Sequence, residues 1–357
     1  MRILQIHKDF EPFAGGGGTA RHIHGLAKAL AAKGCEVRIV SINPTIVTEP
    51  YLSMDGSGGE LARQLDWADV VHVHGARSSY AFRGALKAYR RKIPFLYTPH
   101  AYYGGKSTLN QAFKWIWDRT AEKFLLEKGW QTILLTDAWY GFFSDRGISV
   151  KKTSIIPNCV LEEDLAIPLD AKDAPHIPGN PAILTVGRLD PVKRVKDVIQ
   201  ALANPLLPQA HFHIVGRGAE RAPLEALARE LGVADRVSFL GFVDDPGVAA
   251  LVAGSDVFVL ASEQEGLPTV LLEMLFARLP IVCTRIPGNL AITDIAGITT
   301  TYDVGDIPAL AALLAAAGGD TVSDSAVANL RASFLWETRA NDVLALYTAA
   351  VAARTKK

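Results

Sequence analysis

Apolar residues along the first 160 positions fall into short continuous runs separated by amphipathic stretches. "RILQIH", "CEVRIVSI", "DVVHVHG", "PFLYTPH" and "QTILLTD" are rich in Val, Ile and Leu and end in turn residues. Runs of this length and composition read as buried strands. Between the first two, "RHIHGLAKALAAKG" places Ile23, Leu26, Ala27 and Leu30 at helical spacing, and Gly34 supplies a stop. The Pro-rich segment 162–181, "EEDLAIPLDAKDAPHIPGNP", has no sustained period and reads as a linker. The rhythm then restarts with "AILTVG", "VKDVIQALA", "HFHIVG", "PLEALARELG", "RVSFLGF", "DVFVLAS", "PTVLLEMLFARL" and "PIVCT". Alternating strands and helices predict parallel sheets covered on both faces. The expected fold class is therefore α/β, with two Rossmann-like doubly wound domains, 1–165 and 166–336, facing a cleft. Ligands of such sheets bind at the carboxyl ends of the strands.

Composition narrows the partners. The 357 residues carry 37 Lys+Arg and 37 Asp+Glu, a balance that argues against nucleic acid. The balance is uneven: 21 basic against 16 acidic residues up to position 165, then 16 against 21. A basic first half suggests that it meets something anionic. Cys35, Cys159 and Cys283 are far apart and odd in number, which fits neither a disulfide framework nor a metal site and suggests a reducing cytosol. The apolar run at the N-terminus is too short for a signal peptide, and no run reaches 18 residues. A cytoplasmic protein is expected, peripheral at most to the inner face of a membrane.

Four stretches carry candidate chemistry. In "EQEGLPTVLLEM", Glu265 precedes a Gly-Leu-Pro turn and Glu273 lies two turns into the helix that follows. Pro268 suits the first helical turn. The N–H groups around Pro268 to Leu271 suit a phosphate, with a carboxylate on either side to accept hydroxyl donors. A phosphate between two polyols describes a nucleotide sugar. A solvated acid pair is the bland alternative. In "TVGRLDPVKR", Arg188 and Lys193 follow a strand end, and a guanidinium fork plus an ammonium suits a diphosphate. "GGGGTAR" follows the first strand and lets the backbone approach a ligand, though it lacks the G-x-G-x-x-G spacing. His100 ends the strand of "YTPHAYYGG". His72 and His74 share a strand face like a metal pair, yet no third ligand at suitable spacing is evident, so no metal is expected.

In this order, "GGGGTARHIHGLAKALAAKGCEV", "TPH", "IIPN", "VGRLDPVKR", "IVGRG", "SFLGFV", "DVFVLASEQEGLPTVLLEM" and "FLWETRANDVLALY" resemble family 4 of the retaining glycosyltransferases, whose fold is the two-Rossmann GT-B fold. Glu265 and Glu273 match its Glu-x7-Glu pair. The resemblance implies that Glu265 contacts donor sugar hydroxyls and Glu273 the ribose, while Arg188 and Lys193 hold the diphosphate. It implies donor contacts from Gly17, Gly18, Gly266, Leu267, Pro268, Thr269 and Val270, with Gly216, Gly218, Phe242 and Val243 bordering the nucleotide. His100 would line the sugar, and a final helix near 337–357 would return to the first domain. No cofactor is implied beyond a UDP- or GDP-linked sugar as co-substrate. Three departures weaken any transfer of base or acceptor specificity. They are Cys159 after Pro157-Asn158, "NLAITDIAG" after Gly288, and Thr19-Ala20 before Arg21.

The acceptor is expected on the first domain. "GGKSTLNQAFKWIWDR" and "LKAYRRK" mix Lys87, Arg90, Arg91, Lys92, Lys106 and Lys114 with Trp115 and Trp117, which suits an anionic membrane or a lipid-linked saccharide. A packed helix with core aromatics is the alternative. The leading expectation is a retaining, metal-independent hexosyltransferase of bacterial surface polysaccharide synthesis. Competing classes are a nucleotide-sugar epimerase of the same fold, an NAD-dependent dehydrogenase and a non-catalytic binding subunit.

Overall fold

A computed structural model describes residues 1–13, 17–100, 102, 108–150, 152–165, 176–316 and 322–355, with backbone only over 108–112. The chain divides into two units, Met1–Leu161 with Phe334–Lys357, and Glu162–Ser333.

The first unit is built on a seven-stranded parallel sheet. Its order is Leu52–Asp55, Glu36–Ser41, Arg2–Ile6, Val70–His74, Phe95–Thr98, Gln131–Leu134 and Thr153–Ile155. Val70–His74 and Phe95–Thr98 are buried at every position, as strands covered on both faces must be. Helix Gly18–Ala32 buries Ile23, Leu26, Ala27 and Leu30 on the expected stripe. The last helix, Trp336–Thr355, buries Trp336, Val343 and Tyr347 in the same core.

The second unit repeats the plan with six parallel strands. Their order is Val237–Gly241, His211–Val215, Ala182–Val186, Val257–Leu260, Ile281–Thr284 and Thr301–Tyr302. In each sheet the chain steps outward from a central strand, then returns to the other side of it. That reversal creates a switch point where loops leave two adjacent strands in opposite directions. In the second unit the switch lies between Ala182–Val186 and Val257–Leu260, paired in parallel through Ile183 with Val257 and Leu184 with Phe258.

Candidate active site

Both loops at the second unit's switch point carry charge. From Ala182–Val186 the chain runs through Gly187 and Arg188 into a single helical turn, Pro191–Lys193. From Val257–Leu260 it runs through Ser262 to Glu265 and then into helix Thr269–Phe276. Lys193 Nζ donates to Glu265 Oε1 at 2.6 Å, with side chains 22% and 7% exposed. The sequence signals an ordinary surface acid at 265. The structure buries it because a cation 72 positions earlier meets it, and a buried charge needs such a partner. A small pocket at the same place is lined by Thr185, Gly187, Arg188, Lys193 and Ala261. Arg188 is mostly exposed and turned onto Asp190, Nη2 to Oδ2 at 2.9 Å.

Glycines set the spacing beneath Arg188. Gly216 adopts φ +140°, and a Cβ there would lie 1.8 Å from the Gly187 carbonyl oxygen; one at Gly218 would lie 2.2 Å from that of Leu189. The bare backbones instead hydrogen-bond, Gly187 N–H to Val215 and Leu189 N–H to Arg217, both at 2.9 Å. In the structure Gly216 and Gly218 thus position the Arg188 loop. Phe242 is exposed with Arg217 over its ring at 5.4 Å, and Val243 is half-buried beside it.

Pro268 is the residue capping helix Thr269–Phe276, with extended backbone, and not part of its first turn as the sequence suggests. A proline that fixes φ fits either place, and helix ends drift by a residue. The Leu271 N–H is spent on the Pro268 carbonyl at 3.2 Å, so it does not serve a ligand. Thr269 and Val270 occupy the first positions of the helix, where N–H groups lack intrahelical partners. Gly266, Leu267 and Pro268 are buried, and Glu273 is half-buried on the helix.

The first unit's switch point gathers imidazoles. His22 shares a hydrogen bond with Asn158 at 2.7 Å, and His74 Nδ1 shares one with His100 Nε2 at 3.1 Å. His22 stands edge-on to His100, 4.7 Å between ring centres. His72 is bonded to Tyr347 and Thr98 and holds the last helix to the sheet. Burial pushes His22 down to about 4 and holds His72, His74 and His100 well below the usual imidazole value. One nitrogen each of His22, His74 and His100 lie within 4.8 Å of one another. The sequence pairs His74 with His72, whereas the structure groups His74 with His22 of helix Gly18–Ala32 and His100 at a strand end, and gives both His72 nitrogens to Tyr347 and Thr98. Two of the rings already share a proton, which competes with any metal. His100 takes φ +65° and is buried. Gly17 caps helix Gly18–Ala32 and Gly18 begins it.

On the same unit, Phe113, Trp115 and Ile116 are exposed by more than half. Lys114 and Trp117 are half-buried, Trp117 against Phe82 and Phe113. Lys87 is half-buried; Arg90, Arg91 and Lys92 are exposed, with Arg91 paired to Asp66 at 3.0 Å. Lys106 lies outside the described residues. Sequence reasoning missed Glu122. It is fully buried and accepts from Tyr97 and Tyr102 and from the Arg77 N–H, and burial pushes its carboxyl up. Arg77 forks onto Asp118 with both contacts at 2.8 Å. Nothing local marks these pairs, because their members are 20 to 45 positions apart.

Two sequence families match the chain: "Glycosyltransferase Family 4" over residues 16–163 and "Glycosyl transferases group 1" over 168–317. The lipopolysaccharide core biosynthesis glycosyltransferase LpsE of Rhizobium meliloti is 38% identical over 108 residues, 30% of this chain and 31% of that protein. The matched region spans about a third to a half of the length of such curated relatives. Sucrose-phosphate synthase of Thermosynechococcus elongatus superposes with a TM-score of 0.80 at 21% identity, over 99% of both chains. The Anabaena HepE protein, solved with UDP and glucose, superposes at 0.79 with 20% identity over 98% of this chain and 100% of that one. At these identities the two structures speak for a shared GT-B fold. With both halves matched, the chain belongs to family 4 of the GT-B glycosyltransferases.

Proposed function

We propose that the chain is a retaining hexosyltransferase. It moves a sugar from a UDP- or GDP-linked donor to a saccharide or lipid-linked acceptor in bacterial surface polysaccharide synthesis. The observation that carries the reading is the meeting of Lys193 and Glu265 across the second unit's switch point, with Arg188 one turn away and the helix at Thr269 beside them. Arg188 leaves Asp190 for the donor diphosphate, and Lys193 and the first N–H groups of the helix meet the charge that grows on the leaving oxygen. Glu265, oriented by Lys193, accepts from sugar hydroxyls, and Glu273 from the ribose. No protein nucleophile is invoked: the departing diphosphate takes the acceptor proton on the face it leaves, which retains the anomeric configuration. Cations and helix dipole carry the neutralising charge, so the reaction survives excess EDTA; activity lost to chelation and restored by a divalent ion overturns that part.

The basic and aromatic face of the first unit suits the inner surface of an anionic membrane. No helix among the described residues is long and apolar enough to cross one. The deciding experiment is calorimetric titration with UDP-, GDP- and ADP-sugars, followed by the anomeric coupling of the transferred sugar. Binding of none, or an inverted product, overturns the reading. Isomerised donor without acceptor favours the epimerase alternative.

A further inference from the structure

Arg194 joins Lys193 to helix Val195–Leu202 with φ 48° and ψ 35°, in the left-handed region. A residue with a Cβ is held there at a backbone cost that glycine avoids. The side chain shows what the cost secures. Arg194 Nε and Nη2 donate to the two oxygens of Asp197 at 2.7 and 3.1 Å, and Asp197 is 1% exposed. Its Nη1 reaches Glu263 Oε2 at 3.4 Å. The Glu263 N–H in turn donates to the Val192 carbonyl at 2.9 Å. The two loops that bear Lys193 and Glu265 are thus laced together by one backbone bond and one guanidinium anchored in buried carboxylate.

Building on the donor site proposed above, we propose that Arg194 is a positioning residue. It fixes the distance between Lys193 and Glu265, and so the geometry in which diphosphate and sugar hydroxyls are gripped. It touches no substrate and acts through its neighbours.

The test uses the whole chain with the nucleotide sugar that wild type binds best in the calorimetric panel. Arg194→Gly accepts the left-handed backbone and removes the lacing, and with it the cation that faces the buried Asp197. The expected result is a folded protein of lower melting temperature, since the buried Asp197 loses its cation, with donor kcat/KM down about tenfold or more, the loss falling chiefly in kcat because reacting groups are misplaced. Arg194→Lys, which keeps a charge but cannot fork, recovers part of it. In a Lys193→Ala background the same change adds less than about twofold, since the group it positions is gone. A full tenfold loss in that background, or wild-type kcat/KM in Arg194→Gly, overturns the inference while leaving the donor site standing. If wild type takes no nucleotide sugar, the donor reading falls and this falls with it. Should Arg194→Gly not fold, Glu263→Ala removes the acceptor at the exposed end of the lacing, and a loss of about two- to threefold with the same non-additivity is expected.

Discussion

Acid should melt the first unit in a defined pH window. His22, His72, His74 and His100 are buried as neutral rings, and each must charge when the unit unfolds in acid. For His22 the ordinary value is 6.5 and the folded value about 4. A group depressed in this way contributes stability that is whole above 6.5. It is lost progressively as pH falls toward 4 and gone once pH passes below the folded value. At about pH 4.5 the loss from His22 is about 2.5 kcal/mol. Burial shifts His72, His74 and His100 in the same direction, so each adds to the loss. Glu122 works the other way, because its raised carboxyl takes up a proton in the folded state first; one carboxyl offsets only part of four imidazoles. All six tryptophans, Trp67, Trp115, Trp117, Trp130, Trp139 and Trp336, belong to the first unit, so their fluorescence reports it alone. Urea titrations followed by fluorescence should show stability nearly level above pH 7. Between about pH 6 and 5 it should fall by more than 1.4 kcal/mol per pH unit, more than one proton's worth. His22→Leu should flatten that slope by about one proton, whatever it does to the absolute value. A stability level from pH 7 to 5 would show that these rings are not buried neutral.

Arg188→Ala and Lys193→Ala should each lower turnover by about a hundredfold or more, the first with the melting temperature kept and the second with it lowered, because Glu265 loses its partner; near-normal rates in both folded variants would remove the diphosphate assignment. Asp190→Asn, which releases Arg188 from its 2.9 Å partner, should tighten nucleoside diphosphate binding by a few-fold in calorimetry, about what a mostly exposed ion pair is worth; weaker binding would mean that Asp190 orients Arg188. The protein should bind vesicles containing anionic lipid at low salt and leave them as ionic strength rises, since such contacts are screened over about 8–10 Å at ordinary salt. Replacing Lys87, Arg90, Arg91 and Lys92 together should weaken that binding and spare donor hydrolysis; indifference to anionic vesicles would make this a solvated face.

The fold was legible because burial on both sides of a parallel strand leaves a mark every reader can find. "VFVL" is apolar throughout and "IVCT" all but its final Thr284, and every position of both is buried. The switch-point loops were legible for the same reason: once strand ends are located, Arg188, Lys193 and Glu265 stand directly after them. The pairing of those residues was not legible. Period and propensity describe one segment at a time, whereas Lys193 meets Glu265, His22 meets Asn158 and Tyr97 meets Glu122 across 72, 136 and 25 positions. A lone Glu265 reads as solvated because an isolated carboxylate would be. Its burial becomes affordable only when a distant cation arrives, and nothing in its own neighbourhood announces that. Asn158 shows the converse: it drew notice as part of a short motif, while its bond to a helix histidine is invisible at that scale. Polar residues are therefore where sequence reading loses most, and at the second unit's switch point they are the residues on which the proposed donor chemistry depends.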